Sequence, residues 1–254
     1  MTIGRILRIL AAETKCEFLK LVRLPAYILP TIVFPLMFYA IFGLAFGGRT
    51  GGSSIATSLV ATMGAFGVIG ASMFGLGVTI ASERGQGWLT VKRASPMPMV
   101  TYFGAKVLMA MIFSAIIVAL LFLLGFLFGN VRLPLASWVA LAASLVLGAA
   151  PFCSLGLAIG YLAGPNSAPP ILNMVYLPMA FASGLWMPLT FLPHVIQQIA
   201  PALPPYHLAQ LALGTVGLAG SAALTHVFVL IAFTAAFLML AAVGYQRDEG
   251  RTYG

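Results

Sequence analysis

The stretch LPLASWVALAASLVLGAAPFCSLGLAIGYLAG, residues 133–164, contains no charged side chain. The absence extends well beyond it, for between Arg132 and Arg247 there is no Asp, Glu, Lys or Arg. Soluble domains carry charge at about a quarter of their positions, and a chain in water would not sustain such a gap. Membrane spans require it, because ionised groups are costly in hydrocarbon. The rest of the chain agrees: of 254 residues, 61% are apolar and 7% charged, with a mean hydropathy of +1.05. A water-soluble globular protein is excluded, which leaves a polytopic membrane protein.

A hydrocarbon core of about 30 Å takes about 20 residues per helix, so six spans with short connections are expected, at 26–46, 55–81, 104–128, 137–162, 168–189 and 222–244. Continuous apolar runs without in-out alternation argue against a membrane barrel. The expected fold is all-α and polytopic, a single domain over 1–254 with no room for a soluble catalytic domain. Ahead of the first span, Ile3, Ile6, Leu7, Leu10, Phe18 and Leu21 form an apolar stripe, opposed by Arg5, Arg8, Lys15, Lys20 and Arg23. A basic face against an apolar face predicts a helix over 1–23 lying on the membrane surface, ended by Pro25. Its early charges do not fit a cleavable signal. Before the last span, residues 190–214 combine prolines with His194, Gln197, Gln198, His207 and Gln210, which predicts short external re-entrant or interfacial helices. Cys16 and Cys153 lie in unlike segments and are expected to be free thiols.

With six spans, both termini share a side. That side holds eleven of the thirteen basic residues: Arg5, Arg8, Lys15, Lys20, Arg23, Arg84, Lys92, Arg93, Lys106, Arg247 and Arg251. Arg49 and Arg132 fall on the other. The positive-inside rule then makes both termini cytoplasmic, in an inner or plasma membrane.

The spans offer little chemistry. Lys106 is expected at the cytoplasmic edge of span three and His226 near the outer end of span six, with no ionisable network between them. This disfavours a stand-alone channel or secondary carrier, whose work is charge movement. No phosphate-binding glycine loop with its lysine occurs, so no nucleotide site is expected. Gly67, Ala71 and Gly75, and again Gly156, Gly160 and Gly164, have the four-residue spacing of close helix packing. His194 and His207 lack the carboxylate or thiol that would complete a metal site. No catalytic residue, metal or nucleic-acid partner is expected.

The segment SERGQGWLTVKRASPMPM, residues 82–99, is the largest internal cytoplasmic connection. Gly85 and Gly87 break the incoming helix, Trp88, Leu89 and Val91 make an apolar ridge, Lys92 and Arg93 follow, and Pro96 and Pro98 end it. The residues leave two readings: a helix docking into a cytoplasmic partner, or an interfacial anchor of Trp and basic residues.

In order along the chain, four features resemble the permease of an ABC exporter of the type-2 family. They are the basic N-terminal helix leading into LPAYILPTIVFPLMFYAIFGLAFG (24–47), the loop residues Glu83, Arg84, Gly87, Leu89, Ser95 and Pro96, the Ser183, Gly184 and Pro188 pattern closing span five, and the stretch from Leu192 to Leu208. The resemblance implies a subunit that dimerises with itself and binds two copies of a separate ATPase, which would hold the ATP and Mg, this chain holding no cofactor. It implies ATPase coupling through Glu83, Arg84, Gly87, Trp88, Leu89, Lys92, Arg93 and Pro96, together with the N-terminal helix. Gly85, Trp88 and Thr90 depart from the family's usual loop. Spans one, two and five would line the substrate path, where Phe34, Phe38, Phe42, Phe66, Met73, Phe74, Met174 and Phe181 suit a lipophilic or amphipathic cargo. A non-transport membrane protein, such as an assembly or sensor factor, is a further alternative.

Overall fold

The computed structural model describes residues 3–44, 53–95, 97–220 and 222–252. Arg49 and Pro96 lie outside the described residues, as does the side chain of Arg93. The chain forms α1 (Ile3–Val22), a helical run α2 (25–44), α3 (Ser53–Gly85), α4 (Trp88–Ala94), α5 (Met99–Leu127), α6 (Leu135–Leu147), α7 (Ala150–Leu162), α8 (Ala168–Ala182), α9 (His194–Ile199), α10 (Pro204–Thr215) and α11 (Ala223–Thr252). Single 3-10 turns occupy Leu189–Phe191 and Ala200–Ala202. No strand occurs among the described residues.

Each apolar run read from the sequence is helical. Among the described residues four stretches have the length and composition to cross a membrane: Ser54–Gly85, Met99–Leu127, Leu135–Leu162 and Ala223–Asp248. Two apolar helices, Leu29–Gly43 and Ala168–Ala182, are shorter. At 1.5 Å per residue, fifteen residues reach only about 22 Å. The expected span 137–162 is two helices, because α6 caps at Gly148 and Pro151 opens the first turn of α7, where its missing N–H costs nothing. The expected span 168–189 stops at Ala182, followed by Gly184 at φ +74°. The segment 190–214 is a series of short helices, as expected.

The central helix is α3. In its most apolar window 94% is buried, against 17% for α11. α2, α5, α7, α8 and α10 pack around it, α1 lies along α5, and α11 covers α7 and α10. The first helical run widens where proline interrupts it. Pro30 and Pro35 cannot donate to the helix ladder, and the Phe34 N–H reaches Leu29 O, five residues back, giving π turns at Leu29–Val33 and again at Tyr39–Leu44.

Small residues set the closest crossing. A Cβ on Gly156 would stand 2.7 Å from the Met73 carbonyl oxygen, and one on Gly160 would stand 3.0 Å from that of Gly77. The α3 and α7 backbones therefore touch directly. Gly67 and Gly75 pack against side chains, of Ile117 and Tyr27 respectively, and Gly164 has no close neighbour beyond Ser167. Gly156→Ala should destabilise the fold by about 1–3 kcal/mol, the usual range for overpacking, and lower Tm in detergent. Gly4→Ala, with nothing within 4 Å, should leave Tm unchanged; equal behaviour of the two variants would refute the crossing.

Candidate functional site

At one end of the bundle four helices bring their charges together. α1 presents Glu13, Glu17 and Lys20; α3 presents Thr79 and Glu83; α5 presents Tyr102 and Lys106; α4 contributes Lys92. Lys106 has no exposed surface, and its Nζ lies 2.9 Å from Glu17 Oε2, 3.2 Å from Glu83 Oε1 and 3.2 Å from Thr79 Oγ1. Lys20 donates to Glu17 at 2.9 Å and to Glu83 at 2.5 Å. Lys92 pairs with Glu13 and lies 3.4 Å from Glu17. The Tyr102 hydroxyl donates to Glu83 Oε2 at 2.5 Å, while the Lys92 and Lys106 ammoniums lie 4.5 and 5.0 Å from its ring centroid. Three carboxylates thus face three ammoniums.

On α1, burial by itself would lower the Lys20 pKa, but Glu83 and Glu17 outweigh it and raise the group above its ordinary 10.5. A raised pKa stabilises the fold below about 10.5 and is lost only as pH rises through the folded value. The Lys20 ion pairs therefore persist across neutral pH.

This cluster corrects the expectation that no ionisable network surrounds Lys106. Arg5, Arg8, Lys15 and Lys20 on α1, and Arg23 just after it, are exposed as expected. Leu7 of the apolar stripe is 58% exposed, however, and the inward face carries the buried Thr14 and Glu17 beside Leu21. Periodicity of apolar residues overlooked Glu13, Glu17, Thr79 and Tyr102. The available signal was scarcity, since the chain has only five acidic residues and two of them, Glu13 and Glu17, share α1 with Lys15 and Lys20.

The 82–99 connection divides by direction. Gly87 takes φ +75° and starts α4. From there Trp88 and Val91 are 56% and 60% exposed, whereas Leu89 is buried. Glu83 joins the cluster. Arg84 turns the other way, with Nη2 2.8 Å and Nε 2.9 Å from Asp248 Oδ1 and Nη1 donating to Gly160 O and Ala163 O at 2.8 and 3.2 Å. It covers the C-terminal carbonyls of α7 and ties the end of α11 to α3. Both terminal helices thus meet this connection at one end of the molecule.

Along α2, α3 and α8 the aromatic candidates are brought into one row. Phe34 meets Phe38, and Phe38 stacks on Phe42. Phe38 also stacks on Trp186, at 5.7 Å, and Phe66 stacks on Tyr176, at 4.8 Å. Phe74 and Phe181 join through Tyr176 and Trp186. Trp186 and Tyr176, which link the row, were not singled out from the sequence. Met73 is fully buried and Met174 is 76% exposed. Beside Phe42 and Trp186 lies a cavity of about 930 Å³, walled by the start of α3, the 183–191 turn and α10. Nearby, His207 Nε2–H donates to Pro201 O at 2.8 Å, so its Nδ1 accepts from His226 Nδ1–H at 2.9 Å. This pair joins α10 to α11. His194 is exposed, and no group of three or more potential metal ligands occurs among the described residues.

Residues 10–216 match the ABC-2 type transporter family, the greater part of the sequence. The chain belongs to that family. It is also 27% identical over 244 residues to the Bacillus subtilis (strain 168) protein named "Putative transport permease YvfS", covering 96% of this chain and 99% of that protein. The protein is thus a multi-pass transport permease, and the family match runs from α1 through α10.

Lys106→Met leaves three carboxylates facing two ammoniums. Breaking a buried pair in this way costs about 3–5 kcal/mol, which should appear as a sharp loss of Tm and of monodisperse protein. Adding Glu17→Gln restores two against two and should recover most of the loss; no recovery would show that the cluster does not act as a balanced unit.

Proposed function

We propose that this permease is the membrane-spanning subunit of an ATP-driven exporter, powered by a separate ATPase and carrying a lipophilic or amphipathic substrate. It works as a homodimer with two ATPase copies, in an inner or plasma membrane, through six spans with both termini cytoplasmic. On that reading the two shorter apolar helices complete the six.

The observation that carries this reading is α4. Its Trp88 and Val91 point outward at the end where both terminal helices gather, while Leu89 and Lys92 hold it to the bundle. A partner pressing on the Trp88 ridge would move α4 against α1, and the chain of pairs from Lys92 through Glu13 and Glu17 to Lys106 and Glu83 would carry that displacement into α3 and α5. Nucleotide then acts by differential binding of the partner to two arrangements of these helices. Arg93 and Pro96 remain docking candidates through the family resemblance. Glu83, Arg84 and Leu89 act from inside, by holding the connection in shape. The aromatic row of Phe34, Phe38, Phe42, Phe66, Phe74 and Phe181 supports an apolar path, and Met73 and Met174 are retained in it only as sequence candidates.

One observation favours a stand-alone carrier: a buried lysine among carboxylates. That reading is weaker, because three acceptors already hold the Lys106 ammonium and a carrier needs a group free to exchange partners.

Purified alone, the permease should hydrolyse no ATP; co-expressed with its ATPase, it should co-purify with it. Trp88→Asp with Val91→Asp should cut nucleotide-dependent transport at least tenfold at unchanged protein level and Tm. Leu89→Asp should instead lower Tm. Transport in liposomes by the isolated chain would sink the ATP-driven reading.

A further inference from the structure

The cavity beside Phe42 has a polar edge along α3. Ser54, Ser58 and Thr62 line it at four-residue spacing on one face of α3, a hydroxyl ladder about 12 Å long at 1.5 Å per residue. Gln210 of α10 supplies an amide to the same space. The Ser58 hydroxyl donates to Ile55 O at 2.9 Å, which leaves its lone pairs available. The Thr62 and Gln210 side chains have no hydrogen-bond partner among the described residues. Apart from Ser183 and Thr190 of the 183–191 turn the remaining walls are apolar, and no charged side chain is found among the described residues that line them. Trp186 is not an open cage for a cation, because Phe38, Phe66 and Phe181 already pack on its ring at 5.7, 5.7 and 6.1 Å. Thr62 stands seventeen residues before Thr79 on α3, so the cavity lies about 25 Å from the charge cluster.

We propose that this cavity binds an uncharged amphipath whose polar part is a row of oxygen functions, such as a glycoside or polyol head on an apolar body. The hydroxyl ladder and Gln210 hydrogen-bond the oxygen edge, and Phe42, Leu213 and the Trp186 edge take the body. An ionic head would lose its hydration here without gaining a counter-charge. The volume suits a single small molecule. This assignment refines the substrate class of the proposed permease and rests on that reading for its role in transport, though not for the binding itself.

The test uses the full chain in lipid nanodiscs, with Trp88→Phe and Trp138→Phe so that Trp186 alone reports. Octyl β-D-glucoside, octyl sulfate and octyltrimethylammonium, each below its micelle threshold, share one chain and differ in head. The glucoside should change Trp186 emission saturably, while the two ions give only the unsaturable drift of partitioning into lipid. Thr62→Val with Gln210→Leu should weaken the glucoside response about tenfold, the loss of two hydrogen bonds. Ser58→Phe should abolish it by filling the space. A charged head that saturates as tightly as the glucoside overturns the proposal. A glucoside response that does not saturate, in protein of unchanged Tm, overturns it equally. No nucleotide or partner enters the assay, so failure of the ATP-driven reading is recorded separately, by loss of ATPase co-purification.

Discussion

A lysine with no access to solvent imposes the strictest condition on this fold. Lys106 sits on an apolar helix, where an unpaired ammonium would cost far more than any single packing contact returns. Glu83 of α3 and Glu17 of α1 neutralise it, and each of those carboxylates draws in a second lysine. α1 cannot then be a helix that merely rests on lipid. Its inward face must hold Glu17 against α3 and α5, and the tilted contact of Phe18 with Phe113, ring centroids 5.1 Å apart, fixes the same orientation. The chain's small acidic complement makes the pairing specific, because few alternative partners exist.

From that end the packing changes character along α3. In the half near the cluster, Gly77 meets Gly156 and Gly160 backbone to backbone, and Arg84 closes the crossing by covering the end of α7. The other half carries Ser54, Ser58 and Thr62 against a cavity, with larger and looser neighbours from the 183–191 turn and α10. One rigid helix thus joins a tightly bonded end to a roomy one. This arrangement gives physical content to the proposal that force enters at α4 and reaches the cargo through α3.

The family assignment and the geometry explain different things. Membership of the ABC-2 type transporter family says that the chain is a transport permease. The particular residues through which it would be driven come from local chemistry: an exposed Trp88 beside an inward Leu89, and an Arg84 bonded to Asp248, Gly160 and Ala163. The Glu-Arg pair of the loop resembles a docking motif in sequence, yet both side chains point into the fold and shape the surface from behind.

The sequence by itself determined the solvent and the secondary structure. A run from 133 to 246 without charge can be satisfied only in a membrane, and a backbone in lipid must bond within its own helices, so the helices, their approximate limits and the break at Gly87 were legible. Small-residue spacing marked Gly156 and Gly160 as packing positions, though not that α3 was their partner. Tertiary structure alone decided the charge cluster, the link from Arg84 to Asp248 and the hydroxyl-edged cavity. Each joins residues distant in the chain, such as Glu17 with Lys106 or Thr62 with Gln210. Periodicity reports which face of a helix a residue occupies, but only packing decides what that face meets, and Coulomb and hydrogen-bond energies depend on the meeting.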